Sequence, residues 1–239
     1  MLARRHAQRR RRATAFSAHT GTRSIRGMKL IGMLDSPFVR RSAVSLQLLG
    51  IAFEHASISV FRGYAQFAAI NPVVRAPTLV CDDGTVLMDS SLIVDYAEAL
   101  ARPRSLMPAA LPERLHALRV IGLALAACDK TAQIVYERGL RPPEKLHEPW
   151  IARVSAQLLA ALGALDAELA RKPPACTSAT IDQAGVCAAV AWYFVHDKLP
   201  QIVAAAAHPA LAAFSAQAET LAEFRAAPYG EAPMAATAA

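Results

Sequence analysis

Between Met28 and about Ala101 the spacing of apolar positions changes from segment to segment. A short apolar run predicts a strand over Lys29 to Leu34. Val39, Ala43, Leu46 and Leu49 then recur at helical spacing and predict a helix over Phe38 to Leu49. Phe53 to Ile58 predicts a second strand, and a short helix is expected near Ala65. Thr78 to Cys81 and Thr85 to Met88 predict two further strands. The Asp-Gly step of Asp82-Asp83-Gly84 between them is a strong hairpin signal, so they should be antiparallel neighbours. A helix carrying Leu92, Ile93 and Tyr96 closes what is predicted to be an α/β unit.

Pro103, Pro108 and Pro112 interrupt residues 102 to 112, which show no periodicity and read as a linker. Beyond it every strong pattern is helical. Leu115, Leu118, Ile121, Leu125 and Cys128 are expected to line one buried face, and Trp150, Val154, Leu158, Leu162, Leu165 and Leu169 another. Arg141-Pro142-Pro143 and Lys172-Pro173-Pro174 should end helices, because proline lacks the amide and fixes φ. Thr180-Ile181-Asp182-Gln183 has capping-box spacing. The helix it starts carries Val186, Val190, Tyr193 and Phe194 and is expected to be central. Residues 230–239 are alanine-rich without a stripe and are expected to fray. The resulting expectation is a leader over 1–27, an α/β domain over 28–102, a linker over 103–112, an all-helical domain over 113–229 and a disordered tail.

Charge changes this picture only at one end. The pI of about 9.6 would suit a nucleic-acid partner. However, residues 1–27 hold eight arginines and no acid, which leaves the remaining chain with one net negative charge. A leader translated upstream of an authentic start at Met28 is the favoured reading. A transit-like peptide and an RNA-binding arm are the alternatives, the last weakened by Phe16 being the leader's only aromatic. Nucleic acid is therefore not the expected partner. The uncharged apolar run Ala184 to Val195 is 12 residues, too short for a bilayer, so no membrane association is expected. Cys81, Cys128, Cys176 and Cys187 have neither metal-ligand nor dense disulfide spacing. They predict buried or free thiols, no bound metal and a reducing cytoplasm.

The most informative local pattern is Ser36-Pro37-Phe38-Val39-Arg40, directly after the first strand. Serine is a preferred N-cap and proline suits the first helical position, so a hydroxyl is presented at a helix N-terminus. Ser-Pro opens many helices, and by itself the pattern implies no more than a cap. Its company is more specific: Asn71-Pro72-Val73-Val74-Arg75-Ala76-Pro77, Asp89-Ser90-Ser91 and His208-Pro209-Ala210-Leu211 follow in an order and spacing that resembles the soluble glutathione transferase family, in particular a bacterial serine-type subgroup. The resemblance spans Met28 to about Tyr229.

That resemblance implies a thioredoxin-like N-terminal domain followed by a helical bundle, glutathione as co-substrate, and a cytoplasmic homodimer acting in detoxification. It further implies Ser36 as the catalytic hydroxyl, with Phe38, Arg75, Ala76, Pro77, Asp89 and Ser90 binding the tripeptide. Ala76 would offer its backbone to the cysteinyl part beside a cis-Pro77. Ser90 would face the γ-glutamyl carboxylate and Asp89 its ammonium, while Arg75 could attract the glycyl carboxylate. Phe38, Tyr136 and Trp192 are loose candidates for an electrophile pocket. Cysteine is absent from positions 36 to 39, which disfavours thiol-disulfide exchange. Two departures from the family's pattern are Val74, where glycine is usual, and Gln183, where aspartate is usual. A glutathione-dependent isomerase or dehalogenase, and a non-catalytic binding module, are the alternative functions.

Overall fold

The computed structural model describes residues 27–234. The basic leader expected over 1–27 therefore lies, apart from its last residue, outside the described residues, as do residues 235–239.

Strands β1 (Lys29–Ile31), β2 (Glu54–Ala56), β3 (Thr78–Val80) and β4 (Val86–Leu87) form one sheet in the order β2-β1-β3-β4. β1 runs parallel to β2, as a crossover through helix α1 (Pro37–Leu48) requires, and antiparallel to β3. The hairpin expected at Asp82-Asp83-Gly84 pairs Leu79 with Leu87 and Val80 with Val86. Gly84 supplies the positive φ of 89° at the turn. The two-residue period of β1 serves both sides of the sheet. Leu30 joins the main core together with α1 and α3 (Ser90–Leu100), while Ile31 joins Ile58 and Phe67 of α2 (Tyr64–Ile70) in a second cluster. This is the thioredoxin-like arrangement.

β1 is shorter than the apolar run predicts, because Gly32 adopts φ 136° and turns the chain toward α1. A Cβ there would lie 2.6 Å from Val39 Cγ2 and 3.2 Å from the Ala76 Cβ, so only glycine allows this approach.

The remaining helices are α4 (Leu111–Leu140), α5 (Glu148–Arg171), α6 (Gln183–Lys198), α7 (Pro209–Ala218) and α8 (Ala222–Ala226). α4 begins inside the stretch expected to be linker, with Pro112 in its first turn, where a missing amide costs nothing. Both Pro-Pro pairs end helices as expected, α4 at Leu140 and α5 at Arg171. α6 is central and buried along nearly its whole length, packing on α1, α4 and α7. Its N-cap is Asp182, whose carboxylate accepts the Gly185 amide at 2.8 Å, rather than Thr180.

Two expectations are corrected by packing. The α4 face of Leu115 and Leu118 is exposed, and the buried face is Ala117, Val120, Ala124, Ala127, Cys128, Thr131 and Ile134. Small side chains let α4 lie against the alanine-rich α6, leaving the leucines outward. Gly230 to Met234, expected to fray, instead returns to β2. The Glu231 carbonyl accepts from the Ser57 hydroxyl, its carboxylate pairs with Arg62 at 2.6 Å, and the Met234 amide donates to His55 Nδ1 at 3.0 Å.

Candidate active site

Ser36 is the N-cap of α1, with extended backbone (φ −77°, ψ 123°), and its half-buried hydroxyl makes no capping hydrogen bond. Pro37 lacks an amide, so the N-H groups of Phe38 and Val39 are the donors left at this helix end. The Phe38 ring is partly buried against the main core. Ser36 therefore presents a hydroxyl and two amides without committing them to its own helix.

The segment from Asn71 to Pro77 is built to approach that point. Asn71 is buried; its amide nitrogen donates to Thr78 Oγ1 at 2.9 Å and its carbonyl oxygen accepts the Val73 amide at 3.0 Å. Val74 is held at φ 52° in the left-handed region, where the family's glycine would sit without penalty. The Ala76-Pro77 peptide is cis. Ala76 packs beside Gly32 and Val39, at the same strand-to-helix turn that carries Ser36.

The third segment starts α3. Asp89 caps it, accepting the Ser91 amide at 2.9 Å, and its other oxygen lies 3.7 Å from Arg75. Arg75 is thus tied to Asp89 rather than standing alone. Ser90 is buried and its Oγ accepts from the Arg41 guanidinium at 3.1 Å; Ser91 Oγ accepts from the same nitrogen at 3.3 Å. Of the expected site residues, the structure brings Ser36 and Ala76-Pro77 to one turn, and Arg75, Asp89 and Ser90 to the start of α3.

Several residues here were not singled out as site groups. Arg40 and Arg41, adjacent in sequence, are both buried and diverge. Arg40 pairs bidentately with Glu219 at 2.6 Å, donates to the Ala227 carbonyl and lies under the rings of Tyr193 and Phe224. It anchors α1 to the C-terminal helices. Ser45 on the same helix donates to Gln183 Oε1 at 3.0 Å, a second tie to α6. Asp35, next to Ser36, is half-buried. Burial raises its carboxyl above the usual range and Glu231 adds to this, against the lowering effects of Lys198, the Ser36 amide and Arg62. Tyr229 donates to Asp197 at 2.8 Å, packs against Tyr193 with the rings tilted at 45°, and has its phenol pushed up by burial and by that acidic acceptor. Of the loose pocket candidates, Trp192 is core, stacked on His196, whereas Tyr136 is half exposed and meets the Phe61 ring edge-on at 5.5 Å.

A sequence model of the glutathione S-transferase N-terminal domain matches residues 30–105, the span that contains all seven expected site residues. A solved glutathione transferase family member from Pseudomonas fluorescens Pf-5, with bound glutathione, superposes at a TM-score of 0.71 with 27% identity, covering 84% of this chain and 98% of that one.

Residues 30–105 carry the N-terminal domain of the glutathione S-transferase family, and the whole chain shares the fold of its solved members. Within this family, an uncharacterised GST-like protein of Escherichia coli K12, YibF, is 29% identical over 142 residues, which are 59% of this chain and 70% of YibF. Glutathione S-transferase U4 of Arabidopsis thaliana is 26% identical over 81 residues, 34% of this chain and 36% of the plant protein.

Proposed function

We propose that this transferase-family protein binds glutathione along the edge formed by Ser36, Ala76-Pro77 and Asp89-Ser90, and that Ser36 holds the tripeptide sulfur as a thiolate for attack on an electrophile. The observation that carries this reading is the packing of Ala76, through Gly32 and Val39, against the turn that presents the Ser36 hydroxyl. A peptide lying on the Ala76 backbone as an added strand would bring its cysteinyl sulfur toward that hydroxyl. Asp89, though shared with Arg75, offers a carboxylate for the γ-glutamyl ammonium, and Arg75 is exposed enough to meet the glycyl carboxylate.

The chemical contribution of Ser36 is bounded by simple arithmetic. A free thiol of pKa about 8.5 is only about 3% ionised at pH 7. Lowering its pKa by about two units raises the thiolate roughly 25-fold, while a Brønsted slope near 0.45 returns about eightfold in nucleophilicity, a net gain of about threefold. Most of the acceleration then comes from holding thiolate and electrophile together out of water. Ser36 acts as a positioning donor, helped by the free amides and partial positive charge of the α1 N-terminus.

The protein works as a homodimer in the cytoplasm. Support for the dimer comes from the leucines that α3 and α4 leave outside, Leu92, Leu100, Leu111, Leu115 and Leu118, all about half exposed or more. Among the described residues no helix is long and apolar enough to cross a membrane.

A second reading is favoured by Asp35. A half-buried carboxyl that burial makes hold its proton to higher pH, one residue before Ser36 in the chain, suits proton transfer to a substrate that leaves glutathione unchanged, as in a glutathione-dependent isomerase. The decisive experiment is calorimetry with glutathione followed by product analysis over an electrophile panel. Binding at sub-millimolar tripeptide, weakened by Asp89→Ala, and a product retaining glutathione are expected. No heat at millimolar tripeptide would overturn the binding reading, and turnover that returns free glutathione would replace transfer by isomerisation.

A further inference from the structure

Arg41 is only 4% exposed, and among the described residues no carboxylate lies within ion-pair distance of it. Its charge is met by two neutral oxygens, Ser90 Oγ and Ser91 Oγ, both reached through one terminal nitrogen, and its Nε has no partner. On the other side it faces α4, where its charge acts against the strong upward push that burial gives the Cys128 thiol. A buried guanidinium without a counter-ion is costly, and the protein holds one a single hydroxyl away from the N-terminus of the eleven-residue helix α3.

The direction of these hydrogen bonds has a consequence. Guanidinium nitrogens only donate, so Ser90 and Ser91 accept from Arg41, and each hydroxyl proton is left to donate elsewhere. Two hydroxyl donors, the α3 N-terminal amides other than that of Ser91, which Asp89 takes, and the buried cation then all favour a negative group at the same place. Asp89, alongside, faces the same helix start with the opposite charge and already has Arg75 as its cationic neighbour.

Resting on the glutathione reading above, we propose that Arg41 is the charge that selects an α-amino carboxylate at the start of α3, acting through Ser90 and Ser91. It is a positioning residue: it does not touch the ligand, but polarises and orients the two hydroxyls that do. The ligand's carboxylate is the missing counter-ion of Arg41, and its ammonium goes to Asp89. A γ-glutamyl end carries this zwitterion, and an α-amide or a peptide bond in place of the carboxylate does not.

The test is a coupling cycle between protein and ligand. Affinity is measured by calorimetry for wild type, Arg41→Met and Arg41→Lys, each with glutathione and with the analogue whose glutamyl α-carboxylate is a carboxamide. Wild type is expected to bind the analogue about 30-fold more weakly than glutathione, as for loss of a charge-assisted contact in a desolvated site. Arg41→Met should lose about tenfold or more on glutathione yet bind the analogue within about threefold of wild type, with Arg41→Lys recovering part of the loss. Equal losses on both ligands would make Arg41 merely structural and overturn the proposal while leaving the glutathione reading intact. No binding of glutathione by wild type would overturn both. If Arg41→Met does not fold, wild type still decides: an analogue bound within about threefold of glutathione removes any role for a buried cation at that end.

Discussion

His55 Nδ1 accepts the Met234 amide at 3.0 Å while its Nε2 lies 2.7 Å from the Gly32 carbonyl oxygen. Both contacts are satisfied only by the neutral ring with its proton on Nε2, since a second proton would set N-H against N-H at Nδ1. Burial lowers the pKa of His55 from its ordinary value near 6.5, with the Gly32 carbonyl opposing. The folded value being depressed, the stabilisation is fully present above about pH 6.5 and is lost as pH falls through the folded pKa. Thermal melts from pH 8 to pH 5 should show wild type losing more stability on acidification than His55→Gln, with the two curves converging at the acid end.

Glu219→Ala should destabilise strongly. It leaves the Arg40 guanidinium, 1% exposed, without its carboxylate, and breaking a buried pair from one side costs about 3–5 kcal/mol. Urea unfolding followed by circular dichroism measures this, and the Ala227 carbonyl and the two rings over Arg40 set how far the loss falls below the upper figure.

Val74→Gly should stabilise. A β-branched residue at φ 52° costs about 1–2 kcal/mol, part of which glycine returns as unfolded-state entropy, leaving a gain of about 1 kcal/mol. Calorimetric Tm is the readout. The departure from the family's glycine is legible in the sequence, whereas its positive φ is set by the fold.

Gly32→Ala should cost more than about 2 kcal/mol and weaken glutathione binding beyond its effect on stability. The new methyl would meet Val39 at 2.6 Å and push the Ser36 turn away from Ala76. Affinity measured well below the melting temperature separates the two effects.

Leu115→Glu with Leu118→Glu should yield a folded monomer. Both side chains are exposed and contribute nothing to the core of one chain, so charge there acts only on association. Sedimentation velocity across a concentration series reads the outcome.

The same two leucines show where sequence reading stops. Periodicity identified α4 as a helix, but leucine outweighs alanine in any hydrophobic count. The face that packs is nevertheless the one with Ala117, Ala124 and Ala127, because α6 approaches closely with small residues of its own. The element order, the hairpin and the proline stops were legible because each is local chemistry. Arg41 was not, since an arginine is solvated by default and only the juxtaposition of α1 with the start of α3 buries it. Phe38, counted with the site, rests part of its ring on the core, a contact that periodicity alone does not specify.

Helix α1 bears the Ser36 hydroxyl at its first turn, Arg41 behind the opposite end of the proposed ligand, and Arg40 and Ser45 in the grip of the helical bundle. Cargo site and chassis therefore share one axle. Remodelling the bundle, even far from the proposed tripeptide site, would turn that axle and shift the proposed sulfur donor and carboxylate selector together. Changes in the bundle that keep both ends of the proposed site aligned are those that leave the footing of α1 on Glu219 and Gln183 in place.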